Sequence, residues 1–219
     1  MRKILISVAF VLSLSHPALA QDGRSKVLQI LGDIGPGGSP VRESVYAPRV
    51  SDILREEAMA LNLGDGDAIM LRSFGNPNLI AHLAFADWNR DIPFGYGDGQ
   101  AEDIPGFIGT SVSKLAEITP HDSSDLMFAL RELSYQTPCG GTADLTTVII
   151  SNFIEVGEVK GDQYWWRDIM PGSPFCGDLM IIGAWVVDHN PVQGLREPAL
   201  AFIQEKFKKM GFENVIFRR

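Results

Sequence analysis

Few residues in this sequence have the types and spacing that catalysis requires. One acid–base pair is formed by Asp188 and His189, which are adjacent at the end of an apolar run. A carboxylate beside an imidazole is suited to general acid–base catalysis, although the Asn-Pro pair that follows also suits the start of a loop. A further carboxylate, Asp33, closely follows the short apolar run 27–31. These residues are the candidates for catalysis.

Other catalytic and metal-binding patterns are absent from the sequence. It contains no G-x-S-x-G nucleophile elbow, no G-x-G-x-x-G and no P-loop lysine. His82 and His121 are far from each other and from the cysteines in sequence, whereas zinc requires several His, Cys or carboxylate ligands at regular spacing. Asp65 and Asp67 lack the spacing of a calcium loop. The sequence therefore favours binding over catalysis.

The first twenty residues indicate export. Arg2 and Lys3 precede an apolar run at 4–13, and Ala-Leu-Ala at 18–20 precedes Gln21. This is the three-part pattern of a secretory signal peptide. A bilayer-spanning helix needs roughly 20 apolar residues, and no segment reaches that length. We expect a signal peptide over 1–20 and a periplasmic or secreted mature protein.

Residues 21–219 have a length that suits one α/β domain. The formal net charge is −8, and loss of Arg2 and Lys3 makes it more negative by two. An acidic surface argues against nucleic acid as the main partner. Cys139 and Cys176 are the only cysteines, and an even pair in an exported chain predicts one disulfide, with two free buried thiols as the alternative.

Apolar runs alternate with helical spacings along the chain, which predicts a doubly wound, mostly parallel α/β sheet. The predicted strands cover 27–31, 68–74, 79–85, 147–150, 179–187 and 215–217. The second and third are joined by a short turn and should pair antiparallel. The predicted helices begin near Ser51, at Thr110 or Ser111, and near Ser123 or Ser124, and Pro198 lies in the first turn of the last one.

Two long segments, 86–110 and 155–177, separate these elements. Ligands of such sheets bind at the carboxyl ends of the strands, which here carry Asp33, the 86–110 segment and Asn152. Trp165 and Trp166 are candidate contact residues because aromatic side chains are enriched at binding hot spots. The alternative is that at least one of them packs over the disulfide or the core.

The sequence over residues 26–218 resembles the von Willebrand factor A (VWA) family. Residues 66–75 resemble that family's second strand, 109–113 its Gly-Thr-Ser helix start, and 148–152 its fourth strand. The resemblance implies a Rossmann-like fold and a protein-binding role.

The family's metal-ion-dependent adhesion site is degenerate in this chain. Asp33 matches the Asp of the family's Asp-x-Ser-x-Ser motif, but Gly35 and Gly37 replace the two serines. Thr110 matches the family's Thr, and Asn152 replaces its second Asp. Because Mg²⁺ prefers carboxylate and hydroxyl oxygens, the resemblance implies no cofactor, or weak Mg²⁺ or Ca²⁺ at most. The alternative is structural: Asp33 would cap a turn and Thr110 a helix.

The sequence thus favours an exported protein-binding module within an extracytoplasmic assembly, with another protein as its partner. The alternative is a small extracytoplasmic α/β enzyme, hydrolase-like, that uses Asp33 with Asp188 and His189. A mainly structural domain of a larger complex is a third interpretation.

Overall fold

The apolar runs of the sequence form a six-stranded sheet in the computed structural model of the chain. The structure describes residues 24–35, 39–42, 46–63, 67–74, 79–84, 104–119, 126–141, 143–153, 158–160, 163–165, 175–184 and 196–219. Residues 79–84, 158–160 and 163–165 are described by their backbone alone. All statements below refer to these parts of the chain.

Five strands of this sheet are parallel. The strands are β1 (Ser25–Asp33), β2 (Ala68–Phe74), β3 (Leu79–Ala84), β4 (Ala143–Ile150), β5 (Glu158–Lys160), β6 (Gln163–Trp165), β7 (Asp178–Ile182) and β8 (Val215–Arg218). The order in the sheet is β3-β2-β1-β4-β7-β8. Strand β3 pairs antiparallel with β2, and β5 and β6 form a separate antiparallel ribbon.

Helices cover both faces of the sheet, which confirms the doubly wound α/β class. They are α1 (Ala47–Ala60), α2 (Ile104–Glu117), α3 (Leu126–Gln136) and α4 (Arg196–Met210). Along β1, Leu28 and Ile30 pack with α1 and α2, whereas Val27 and Leu31 pack with α3 and α4. This alternation follows from the two-residue period of a strand. Both faces are buried, so the central strands read as continuous apolar runs.

The strand order creates a switch point between β1 and β4. The chain passes from β1 to β2 on one side of the sheet, and β4 lies on the other side of β1. Gly32 is paired with Ile150 at the carboxyl ends of these two strands. A crevice outside such a point is where ligands bind in open α/β sheets. The turns that follow Gly32 and Ile150 therefore form the first candidate site.

Two predicted helix starts are wrong. Helix α1 begins at Ala47, with Pro48 in its first turn, so Ser51 lies inside the helix. Helix α2 begins at Ile104, more than one turn before Thr110, which therefore does not cap it. In both cases a proline lies in the first turn of the helix. The N–H groups of that turn have no partner within the helix, so the missing N–H of proline removes no hydrogen bond.

The disulfide between Cys139 and Cys176 is confirmed, with their Cα atoms 5.8 Å apart, and the free-thiol alternative is wrong. It joins the segments that lead into β4 and β7, which are neighbours in the sheet. The predicted continuous loop at 155–177 contains the β5–β6 ribbon instead. None of the described helices is long and apolar enough to cross a membrane.

Candidate functional site

Asp33 lies at the switch point and binds to both turns beside it. Its Oδ1 accepts a hydrogen bond from the backbone N–H of Gly35 at 2.9 Å. Its Oδ2 accepts a hydrogen bond from the hydroxyl of Ser151 at 2.6 Å. Only 2% of Asp33 is exposed. One carboxylate thus connects the turn after β1 with the turn after β4.

Two further hydrogen bonds extend this buried polar cluster. The backbone N–H of Phe153 donates to Ser151 Oγ at 3.0 Å. The hydroxyl of Ser39 donates to the backbone carbonyl of Asp33. Phe153 has a φ of 62°, a left-handed conformation that non-glycine residues seldom adopt. These bonds hold both turns in a defined conformation.

The residue after β7, Gly183, lies against the segment that follows β1. Gly183 has a φ of 81°, and a Cβ atom there would lie 2.6 Å from Cγ of Pro40. Pro40 belongs to the segment after β1. The absence of a side chain at Gly183 therefore lets this segment pack against the end of β7.

The residues at this edge offer few ligands for a metal ion. Both oxygens of Asp33 accept hydrogen bonds from the protein. Gly35 has no side chain, and Asn152, which follows Ser151 and is buried, carries a neutral amide. A hard cation such as Mg²⁺ prefers charged oxygens. The described residues include no group of three or more His, Cys, Asp or Glu that could hold a metal.

The structure brings together only part of the predicted adhesion site. Asp33, Gly35 and Asn152 lie in the two turns at the switch point. Thr110 instead is exposed on α2 and lines a groove against α1. Gly37 lies outside the described residues.

The other predicted site residues are described incompletely or not at all. The backbone of Trp165 pairs with Glu158 in the β5–β6 ribbon, and β6 lies beside α4. The side chain of Trp165 lies outside the described part of the structure, as do Trp166, Asp188 and His189.

Sequence reasoning missed one partner of Asp33, the hydroxyl of Ser151. A hydroxyl residue directly after a predicted strand was the available signal, but nothing local relates it to a carboxylate 118 positions away. A buried arginine in β2 was also missed: Arg72 is 6% exposed. Burial lowers the pKa of the Arg72 guanidinium, and the charge of Glu132 acts in the opposite direction. The available signal was a charged residue within an apolar strand.

No protein-family model and no curated protein matches this chain.

Proposed function

We propose that this chain is an exported, VWA-like protein-binding module that contacts its partner through the loops at the carboxyl edge of the sheet. The observation that carries the proposal is the buried carboxylate of Asp33, whose two oxygens accept hydrogen bonds from two different turns. A catalytic carboxylate must reach a substrate proton. The carboxylate of Asp33 instead fixes the positions at which the neighbouring loops leave the sheet. Loops that a rigid scaffold positions in this way are suited to binding.

Two features support export. The N-terminal twenty residues have the pattern of a signal peptide. The disulfide between Cys139 and Cys176 is of the kind that persists in oxidising compartments. Together they favour a periplasmic or secreted location.

The sheet supports the VWA-like part of the proposal. Asp33 ends β1 and Asn152 closely follows β4, and these strands are neighbours at the switch point. The replacement of two serines by Gly35 and Gly37 favours contact without a strongly bound metal.

The enzyme alternative is less well supported by the described residues. It requires Asp33 to act on a substrate, but this side chain is buried and hydrogen-bonded within the protein. Hydrolytic activity of the purified protein that is lost in His189→Ala, with an unchanged melting temperature, would favour the enzyme over the binding module.

Substitution of the tryptophan pair tests the proposed contact surface. The partner is first captured from the native envelope on the wild-type protein, and its affinity is then measured. We expect Trp165→Ala with Trp166→Ala to weaken binding by roughly thirtyfold, because truncating a hot-spot Trp costs about 2 kcal/mol or more. The melting temperature of this variant should stay close to that of the wild type.

Tyr135→Ala is the matched control. This aromatic residue is 73% exposed and lies in the last turn of α3, which leads towards the start of β4 and so away from the carboxyl edge. It should leave partner affinity unchanged. Equal losses in both variants, or a double variant that melts far below the wild type, would show that the tryptophans do not form the contact surface.

A further inference from the structure

Strand β8 forms one edge of the sheet, and none of the described strands pairs with its outer side. On its inner side, the backbone N–H of Gly183 donates to the carbonyl of Arg218 at 3.1 Å. Successive residues of a strand direct their backbone groups to opposite sides. The backbone groups of Val215 and Phe217 therefore point outward, away from β7. Such an edge is a template for pairing with another chain.

The two faces of β8 differ in how well they are covered. Val215 is 6% exposed and packs with Phe217 in the half of the core that α4 completes. The intervening residue, Ile216, points to the opposite face of the sheet. It is 46% exposed, since the described elements that pack closely against β8 are β7 and α4. The edge thus presents an apolar side chain beside its outward backbone groups.

One of the outward backbone groups already has a partner. Nε2 of Gln204, in α4, donates to the carbonyl of Val215 at 3.1 Å. A carbonyl oxygen has two lone pairs, so it can accept a second hydrogen bond. Within the described part of the chain, the N–H of Val215 and both backbone groups of Phe217 have no hydrogen-bond partner. The edge can therefore still pair with a further strand.

The two ends of β8 carry opposite charges. Glu213 precedes the strand, whereas Arg218 and Arg219 lie at its end. All three residues are exposed, and none of them forms an ion pair with another described residue. A parallel copy of this strand would place like charges side by side. An antiparallel copy places the acidic end of each strand beside the basic end of the other, which is favourable.

The backbone groups and the charges select the same register for an antiparallel pair. If Ile216 lies opposite Ile216 of a second copy, Val215 lies opposite Phe217 of that copy. Both have outward backbone groups, and such a pair exchanges two hydrogen bonds. Glu213 then lies opposite Arg219 of the second copy. A shift by two residues would keep outward groups paired but would place Ile216 opposite Arg218 and lose this charge pair.

We propose that two copies of this chain associate through the outer edges of β8, in an antiparallel pair centred on Ile216. The sheet then continues across a two-fold axis, and both copies use the same surface. Because the contact is made by one short strand (Val215–Arg218), the dimer is weak and its amount depends on concentration. The inference goes beyond the proposed binding function and does not depend on it.

Sedimentation velocity of the purified protein over a range of concentrations tests the association. We expect the sedimentation coefficient to rise with concentration towards that of a dimer. Ile216→Lys should remain monomeric, because two like charges would then lie directly opposite each other. Met59→Lys is the matched control: it changes another exposed apolar residue, 60% exposed and located in α1, and should dimerise as the wild type does.

Charge reversal tests the register. Glu213→Arg and Arg219→Glu should each weaken the dimer by roughly tenfold at low ionic strength, because each places like charges opposite each other twice. An equal mixture of the two single variants should associate like the wild type, since both charge pairs are then of opposite sign. The double variant Glu213→Arg with Arg219→Glu should also regain the wild-type affinity.

A cysteine at the centre of the pair provides an independent test. The Cα atoms of opposite residues in a non-hydrogen-bonded pair lie about 4.5 Å apart, a distance that a disulfide can span. Cys139 and Cys176 are already bonded to each other. Ile216→Cys should therefore give a disulfide-linked dimer on mild oxidation, visible on a non-reducing gel. Met59→Cys should stay monomeric under the same conditions.

Several results would overturn the inference. It is wrong if the wild type stays monomeric at every concentration, or if Ile216→Lys dimerises as strongly as the wild type. The antiparallel register is wrong if mixing Glu213→Arg with Arg219→Glu restores no association. Melting temperatures of all variants show whether they remain folded. If Ile216→Lys proves unstable, cross-linking of Ile216→Cys decides.

Discussion

Asp33 accepts hydrogen bonds from the turn after β1 and from the turn after β4. A carboxylate with both oxygens engaged in this way is a structural connection between neighbouring strands. The connection is strong, because hydrogen bonds to charged groups contribute more to stability than hydrogen bonds between neutral groups. The same residue would be a metal ligand in an intact adhesion site, so its neighbours decide its role.

Asp33→Ala should lower the free energy of unfolding by about 2–4 kcal/mol. The substitution leaves the N–H of Gly35 and the hydroxyl of Ser151 buried without their acceptor. Urea unfolding followed by circular dichroism measures the loss. Asp178→Ala is the control, because this carboxylate is exposed although it accepts a hydrogen bond from Asn214 at 2.7 Å. Equal stabilities of the two variants would contradict the structural role of Asp33.

Two glycines beside the disulfide allow the cost of a positive φ to be measured separately from the cost of a steric clash. Gly140 and Gly177 have φ values of 78° and 75°. A Cβ atom at Gly177 would lie 2.1 Å from the backbone oxygen of Leu145, whereas at Gly140 it would meet nothing within 4 Å. Gly140→Ala should cost about 1–2 kcal/mol through its φ alone, and Gly177→Ala about 2 kcal/mol more through the clash. Thermal unfolding compares them, and similar melting temperatures would show that β4 moves aside freely.

At the level of elements, the disulfide stabilises the pairing of β4 with β7. Cys139 precedes β4 and Cys176 precedes β7, and the first paired residues of the two strands are Thr146 and Asp178. The bond closes a loop with a sequence separation of 37. Such a cross-link restricts the unfolded chain, and its effect grows with the logarithm of loop length.

The double variant Cys139→Ser with Cys176→Ser should be less stable than the oxidised wild type by about 3–4 kcal/mol. The reason is the loss of the constraint on the unfolded chain. Denaturant unfolding with and without a reducing agent measures the effect, and the reduced wild type serves as the control. If the reducing agent leaves the wild-type midpoint unchanged, the bond does not stabilise the fold in solution.

At the scale of the whole molecule, the sheet divides the hydrophobic core into two clusters, one on each face. Helices α1 and α2 pack on one face of the sheet, and α3 and α4 pack on the other. The carboxyl edge between the faces carries the polar cluster around Asp33.

The purified protein should contain no tightly bound divalent ion, and chelation should leave its melting temperature unchanged. Gly35 and Asn152 supply no charged oxygen, and the oxygens of Asp33 accept hydrogen bonds from the protein. Metal analysis after dialysis, together with thermal unfolding in a chelator, checks this. A stoichiometric ion whose removal lowers the melting temperature would mean that residues outside this edge complete a site.

The positions of the main elements could be predicted from sequence because they depend on local patterns. Leu126, Ala129, Leu130 and Leu133 have helical spacing, and all four are buried on α3. The predicted bounds of β2 agree with the structure. The starts of α1 and α2 could not be predicted as reliably, since a capping side chain and a first-turn proline are competing signals at a helix start.

The sequence by itself determined the α/β class, the inward faces of the helices and the cysteine pair, because periodicity and composition need no knowledge of distant residues. Only the tertiary structure decided which distant groups meet. Asp33 and Ser151 are 118 positions apart, and they bond because β1 and β4 are neighbours in the sheet. Likewise, Thr110 lies in a groove against α1 and not at a helix start, because helix packing sets its surroundings. Pairing between strands and helices is a long-range choice of the whole chain, and no local pattern encodes it.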